Sequence, residues 1–179
     1  MKNIIIRGSR NVGKTTLIKK ILLYNNINKY YGFYTKKSNP DINGTCNVYI
    51  NDFEEKIKFE NEENLVGSCT NMSGKKNTLG FENAGVRILD SLKNRPVIVM
   101  DELGFLEANA KKFQKKVFEI MDSSALVIAA IKDKKVDFLD KIINADNNEV
   151  YDITLDNRDR LATILSETLS NILNEIKNT

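Results

Sequence analysis

The stretch Gly8-Ser9-Arg10-Asn11-Val12-Gly13-Lys14-Thr15-Thr16 sets two glycines, a lysine and two threonines in fixed spacing, directly after the apolar run Ile4-Ile5-Ile6. The spacing is G-x-x-x-x-G-K-[ST], the pattern of a phosphate-binding P-loop. Each position has a chemical reason. Successive backbone N–H groups must turn inward around a β-phosphate, which asks Gly8 and Gly13 for backbone angles that side chains resist. Lys14 bridges β- and γ-phosphate oxygens, and Thr15 offers its hydroxyl to Mg²⁺. The N-terminus of the helix that follows adds partial positive charge. Arg10 either contacts phosphate or ribose or is a solvated loop charge, and its residue type does not choose between the two.

A phosphate loop needs a metal partner, and Pro96-Val97-Ile98-Val99-Met100-Asp101-Glu102 supplies one. An apolar strand that ends in Asp is the Walker B arrangement, in which the carboxylate orients the Mg²⁺ shell from the strand's C-terminal end. Thr15 and Asp101 are therefore the expected metal ligands. The chain contains no histidine, which removes His-ligated zinc and the histidine-dependent nucleophile pairs. A carboxylate beside the metal ligand is then the natural group to position an attacking water, and Glu102 is that group. Its alternative is a capping or ion-pairing role. Glu107 either caps the next helix or takes part in the site, and its residue type does not choose between the two.

The elements that must hold these blocks follow from periodicity. Residues 2–7 read as a buried strand and 14–25 as a helix, with Leu17, Ile18, Ile21 and Leu22 at helical spacing. Gly32–Thr35 is a short strand, and Asn39 to Gly44 is turn chemistry. Cys46, Val48 and Ile50 alternate with polar residues, as do Ile57 and Phe59, which predicts a β-hairpin inserted over about 36–70. Asn71 to Thr78 reads as a polar loop. Helices are expected over 80–93, 108–122 and 135–144, buried strands over Val97–Met100 and Ala125–Ile131, and a last strand over Val150–Leu155. A last helix carries the stripe Leu161, Ile164, Leu165, Leu169, Ile172, Leu173 and Ile176, with Asp156 or Asn157 as its N-cap and Asp159 favourable to its dipole. Strands alternating with helices argue a three-layer α/β domain with a mostly parallel sheet, one domain over 1–179.

Composition reads as an ordinary soluble globular protein. The 179 residues are 41% apolar and 28% charged, with net charge +3, which excludes a disordered chain and a concentrated basic nucleic-acid surface. No apolar stretch is long enough for a membrane span, and the N-terminus lacks a signal peptide's apolar region, so the expected location is cytoplasmic. Cys46 and Cys69 form no CxxC pair and read as free thiols.

With those blocks in hand, the chain resembles the small nucleoside-triphosphatase family known from thermophiles and as the cancer-related NTPase of animals. The likeness rests on the P-loop, Gly32-Phe33-Tyr34-Thr35, the stretch from Val97 through Asp101-Glu102-Leu103-Gly104-Phe105-Leu106-Glu107, and Asn157-Arg158-Asp159. It implies a RecA/AAA-type P-loop core and Mg²⁺-dependent hydrolysis of ATP, GTP and other triphosphates to diphosphate and phosphate, with loose base selectivity. It also implies that Leu103 and Gly104 border the nucleotide and that Arg158 sits near it to stabilise phosphate charge. The plainer reading of Arg158 is a first-turn helix charge. The chain departs from the family at Ser9-Arg10-Asn11, where prolines and a glycine are usual, at Phe105, where a lysine is common, and after Asn71. Two other functions stay open beside hydrolysis. One is a nucleotide or small-molecule kinase, although Arg7, Arg10, Arg87, Arg95, Arg158 and Arg160 form no lid cluster in the sequence. The other is a nucleotide-controlled switch whose partner surface includes the hairpin and Lys75-Lys76.

Overall fold

Ile4 and Ile6 face one side of a sheet and Ile5 the other, and all three are fully buried. A strand apolar on both faces must be covered on both faces, and this one lies in the middle of a three-layer fold. The computed structural model describes residues 2–54, 60–70 and 74–177. In chain order the elements are β1 (Asn3–Gly8), α1 (Lys14–Tyr24), β2 (Tyr31–Lys37), β3 (Cys46–Asp52), β4 (Leu65–Cys69) and β5 (Gly74–Lys76). A helical stretch follows, in which α2 (Thr78–Gly80) and α3 (Val86–Asp90) flank a π-helical turn, Phe81–Gly85. Then come β6 (Val97–Leu103), a 3₁₀ turn (Leu106–Asn109), α4 (Lys111–Met121), β7 (Leu126–Lys132), α5 (Asp137–Ile143), β8 (Asn148–Asp152) and α6 (Arg158–Lys177).

All eight strands join one sheet in the order β5-β4-β3-β2-β6-β7-β1-β8. The five strands β2, β6, β7, β1 and β8 are parallel, and β3, β4 and β5 continue the β2 edge in antiparallel fashion. Alternate residues of β6 and β7 divide between two cores. Val97, Val99, Leu126, Ile128 and Ala130 pack with α1 and α6, through Leu17, Ile21, Leu165 and Leu169. Ile98, Met100, Val127, Ala129 and Ile131 pack with Phe81, Ile88, Phe113, Val117 and Leu139 on the other side. The expected three-layer α/β architecture is the one observed.

Three expectations change. Of the expected hairpin, Ile57 and Phe59 lie outside the described residues. β3 pairs with β2 on one side and with β4 on the other, and the Leu-Val-Gly-Ser-Cys of β4 has too little alternation to announce itself. The polar stretch read as a loop contributes β5, an exposed edge strand of Gly74, Lys75 and Lys76; residues 71–73 lie outside the described residues. Lysines on an edge strand are a usual protection against further pairing, which is why the segment reads as a loop. The third change concerns α6, although its N-cap is one of the two residues expected. The Asn157 carbonyl accepts the first helical bond from Leu161 N at 2.8 Å, so Asn157 is the N-cap. Its side chain turns back instead, accepting from Thr154 N at 2.8 Å and donating to the Asp152 carbonyl at 2.8 Å. That amide ties the end of β8 to the helix start. The expected last strand ends at Asp152, with Leu155 exposed beyond it; Ile164 is exposed rather than inward, and the side chain of Ile176 lies outside the described residues.

Phe113 is the keystone of the second core, fully buried with its ring 5.5 Å from Phe33 and 5.0 Å from Phe81. Phe113→Ala removes a side chain that joins α4 to β2 and to the π-helical turn. We expect a loss of about 3–5 kcal/mol in urea unfolding, the range for a fully buried aromatic. A loss below about 1 kcal/mol would contradict this packing.

Candidate active site

Parallel strands deliver their C-terminal ends to one edge of the sheet, and loops at that edge are where α/β folds bind ligands. Here β1 ends at Gly8, β6 at Leu103 and β7 at Lys132. Their extensions line a cleft of about 830 Å³ together with residues of β2, β3, β4 and β5. The loop 8–13 passes from β1 into α1, and two of its positions depart from the ordinary α and β regions. Asn11 has φ 61° and Gly13 has φ 110°. Gly13 therefore supplies the angle expected of it. Gly8 is required for a different reason than the one expected. Its φ is unremarkable, but a Cβ there would lie 2.7 Å from the Ile153 side chain and 2.8 Å from the Ile153 carbonyl oxygen.

At the start of α1, Lys14 is 4% exposed and its ammonium curls back over the loop. It donates to the Gly8 carbonyl at 2.9 Å and the Ser9 carbonyl at 2.7 Å, and it pairs with Glu102 Oε2 at 2.8 Å. Thr15 Oγ1 donates to Asp101 Oδ1 at 3.1 Å. Asp101 is buried, and burial pushes its carboxyl above the usual range, with the Thr15 hydrogen bond acting in the opposite direction. β6 slips register against β7 between Asp101 and Leu103, so Glu102 is an extra residue without a rung of its own. Such a bulge breaks the strict alternation of faces and re-aims a side chain. Asp101 and Glu102 consequently both reach the cleft.

Ser9, Arg10, Asn11, Gly13, Lys14, Thr15 and Thr16 line the cleft beside Gly8. Val12 does not; it is buried in the core beneath the loop. Leu103 is likewise a core residue, and Gly104 lies against the Lys132 side chain rather than in the lining. Arg158 is not brought to the cleft either. It is exposed in the first turn of α6, outside the residues that line the cleft.

Two residues carry more of the site than their local sequence announces. Lys132 closes β7 opposite Gly8, and its ammonium lies 3.1 Å from Glu102 Oε1. Glu102 is thus held between two lysines from different strands and loops. The same ammonium lies 5.4 Å from the Phe105 ring, so a cation reaches the neighbourhood of Phe105 from another strand. A lysine after a buried strand is a weak signal on its own, and only the β6–β7 pairing reveals its partner. Glu107 is the second. It does not cap α4; its Oε2 accepts from Gly104 N at 2.9 Å, and its carbonyl accepts from Gln114 Nε2 at 2.7 Å. Its side chain is 2% exposed, and burial raises its pKa to about 7, against opposing backbone hydrogen bonds.

The donor set suits a hard, oxygen-seeking cation that borrows ligands from phosphate and water. Among the described residues no group of three or more His, Cys, Asp or Glu is arranged to hold a metal by itself. A hydroxyl and a carboxylate in contact, as Thr15 and Asp101 are, fit Mg²⁺, which keeps waters and uses one or two protein carboxylates with substrate phosphates. Also among the described residues, no helix is long and apolar enough to cross a membrane.

A family profile described as NTPase matches residues 3–166. Nucleoside-triphosphatase THEP1 of Thermotoga sp. (strain RQ2) is 34% identical over 176 residues, covering 93% of each chain. The protein of the same name from Aquifex aeolicus is 34% identical, over 93% of this chain and 97% of its own. The crystal structure of THEP1 from Aquifex aeolicus superposes with a TM-score of 0.68 at 30% identity, covering 92% of this chain and 96% of that one. The solution structure of a human cancer-related nucleoside triphosphatase shares the fold, with TM-score 0.68 at 20% identity, over 96% and 98% of the two chains.

The buried Glu107 gives stability a pH dependence with a definite sign. Its folded pKa of about 7 lies above the ordinary 4.5, so the folded state holds its proton through a range where the unfolded chain has lost it. That contribution is complete below pH 4.5 and is lost as pH rises through about 7, on the order of 3 kcal/mol in all. Glu107→Gln keeps an acceptor for Gly104 N but cannot ionise. Urea unfolding of the variant should show a smaller fall in stability over that window than the parent. Parallel curves would place the titration elsewhere.

Proposed function

The chain belongs to the nucleoside-triphosphatase family that these relatives share, and from that membership we propose that it hydrolyses ATP, GTP and other nucleoside triphosphates to the diphosphate and phosphate. We further propose that the reaction depends on Mg²⁺ and selects little for the base. The observation that carries this reading is the 3.1 Å contact between Thr15 and Asp101, which joins the phosphate loop to the acid at the end of β6. The groups gathered at the loop address phosphate, the part every nucleoside triphosphate has in common, which supports loose base selection.

The roles follow from what each side chain can reach. Gly8 through Thr16 cradle the triphosphate tail, and Lys14 turns its ammonium to the β- and γ-phosphate oxygens, which compete for it with Glu102. Thr15 and Asp101 would hold Mg²⁺, which when bound neutralises charge across those oxygens. Glu102 accepts a hydrogen bond from the attacking water and aims it at the γ-phosphorus. Lys132 holds the second oxygen of Glu102 and adds positive charge on the γ-phosphate side of the cleft. Positioning and electrostatics supply nearly all the rate enhancement in phosphoryl transfer, so these few contacts are sufficient in kind.

Phosphate release measured with the four ribonucleoside triphosphates, with no acceptor present, tests the reading directly and separates it from a kinase. Release should be comparable for all four, stop on chelation of divalent cations and return with Mg²⁺. Lys14→Ala should weaken nucleotide binding strongly. Glu102→Gln should keep binding and lower turnover by about a hundredfold or more, the usual loss of a positioned base. Lys132→Ala should lower turnover by a smaller factor. Parent-like turnover in Glu102→Gln would remove Glu102 from the reaction.

A further inference from the structure

We propose that Cys46 and Cys69 form a redox-active dithiol, with Cys69 on the wall of the cleft and Cys46 beside it on the neighbouring strand, which exchanges with a low-molecular-weight disulfide and closes into a reversible cross-strand bridge. This inference does not rest on the proposed hydrolysis. The two residues lie far apart in the chain, but the register of β3 against β4 makes them direct partners. Side chains of antiparallel partners project from the same face, with Cα atoms about 4.5–5.5 Å apart. That separation falls inside the roughly 4.4–6.8 Å a disulfide spans. Both are half-buried free thiols.

The surroundings single out Cys69 as the sulfur that reacts first. Lys37 Nζ donates to Cys69 Sγ at 2.6 Å. Lys37 belongs to β2 and pairs with Val48 on β3, so its ammonium reaches Cys69 from the far side of β3. The Cys69 sulfur therefore faces the strand that carries Cys46. On its other side Cys69 pairs with Gly74 of β5, which has no side chain to cover it. Cys69, Lys37 and Gly74 all line the cleft, which gives a small reagent access. The pair also sits where the ladder can adjust: Cys46 opens β3 and Cys69 closes β4.

The chemistry is thiol–disulfide exchange through a mixed disulfide. Cys69 gives up its proton and its sulfur attacks one sulfur of RSSR, forming a mixed disulfide and expelling RS⁻, which takes up a proton. Cys46 then loses its proton and attacks the Cys69 sulfur. The Cys46–Cys69 bond forms, the mixed bond breaks, and a second RS⁻ leaves and is protonated. Two protein thiols are oxidised by two electrons, and one RSSR becomes two RSH. Lys37 faces the sulfur on which negative charge develops in the first step and loses its acceptor when the bridge closes.

The test is incubation of the reduced full-length chain with oxidised glutathione, followed by acid quench and mass analysis. The parent should lose the mass of two hydrogen atoms, yield a peptide pair linked through positions 46 and 69, and return to two free thiols with dithiothreitol. Cys46→Ser should stop at a glutathione adduct on Cys69, and Lys37→Ala should form the same products several-fold more slowly. If the parent accumulates the same stable adduct as Cys46→Ser, or yields only disulfide-linked dimers or unmodified protein, the dithiol does not exist. Because the readout is mass, a failure here leaves the hydrolysis reading untouched, and the reverse also holds.

Discussion

Thr15 and Asp101 touch although the strands that lead to them do not. β1 and β6 are separated by β7, two interstrand spacings of about 4.8 Å each, and the hydroxyl at the start of α1 must cross that gap to meet the acid at 3.1 Å. The crossing is possible because Ala130 occupies the rung between them, paired with Ile6 on one side and Asp101 on the other. A small residue on the face that carries α1 lets the loop and helix settle low over β7. Gly8 serves the same end from the other side, since any side chain there would collide with Ile153 beyond β8. The requirement that a helix N-terminus meet a carboxylate two strands away thus reaches into residue choices that carry no chemistry themselves.

A chain of charge is built on that contact. Lys14 from α1, Glu102 from the β6 bulge and Lys132 from β7 form a run in which one carboxylate joins two ammonium groups. All three are partly or wholly withdrawn from water, where electrostatic interactions are stronger than at the surface. Triphosphate oxygens entering such a site meet cations already gathered, and Glu102 is kept beside them rather than free to rotate. Glu107 sits behind this line, its carboxyl spent on the Gly104 amide and its carbonyl on Gln114, and so fixes the turn that follows β6. The network positions groups before substrate arrives, which is the property that makes oriented charge effective in catalysis.

The antiparallel strands β3, β4 and β5 add a wall to the cleft that the parallel core lacks. Val48, Ser68, Cys69 and Gly74 line it, beside Thr35 and Lys37 of β2. The wall holds less of the main core than the parallel strands do, and it ends in an exposed lysine-bearing edge. Regions with fewer buried contacts and short ladders open at lower free energy than the body of the sheet. The wall is also where the two cysteines are register partners.

Much of the site was legible from residue order alone, because its parts are local. The loop from Gly8 to Thr15 and the apolar strand ending in Asp101-Glu102 each depend on a few adjacent residues, and periodicity places them between a strand and a helix. The same holds for α6, whose stripe is a repeat along one segment, and for both faces of β1, β6 and β7. What the sequence could not decide was set by strand order, register and burial, which join positions that no local spacing relates. Pairing across β6 and β7 gave Glu102 its second lysine, and burial within the folded chain moved the Glu107 carboxyl toward neutrality. The path of the chain into α6 left Arg158 outside the cleft, and register alone brought Cys46 opposite Cys69. Local propensity acts over a turn or a strand, whereas a site is assembled by contacts that exist only after the whole sheet has formed.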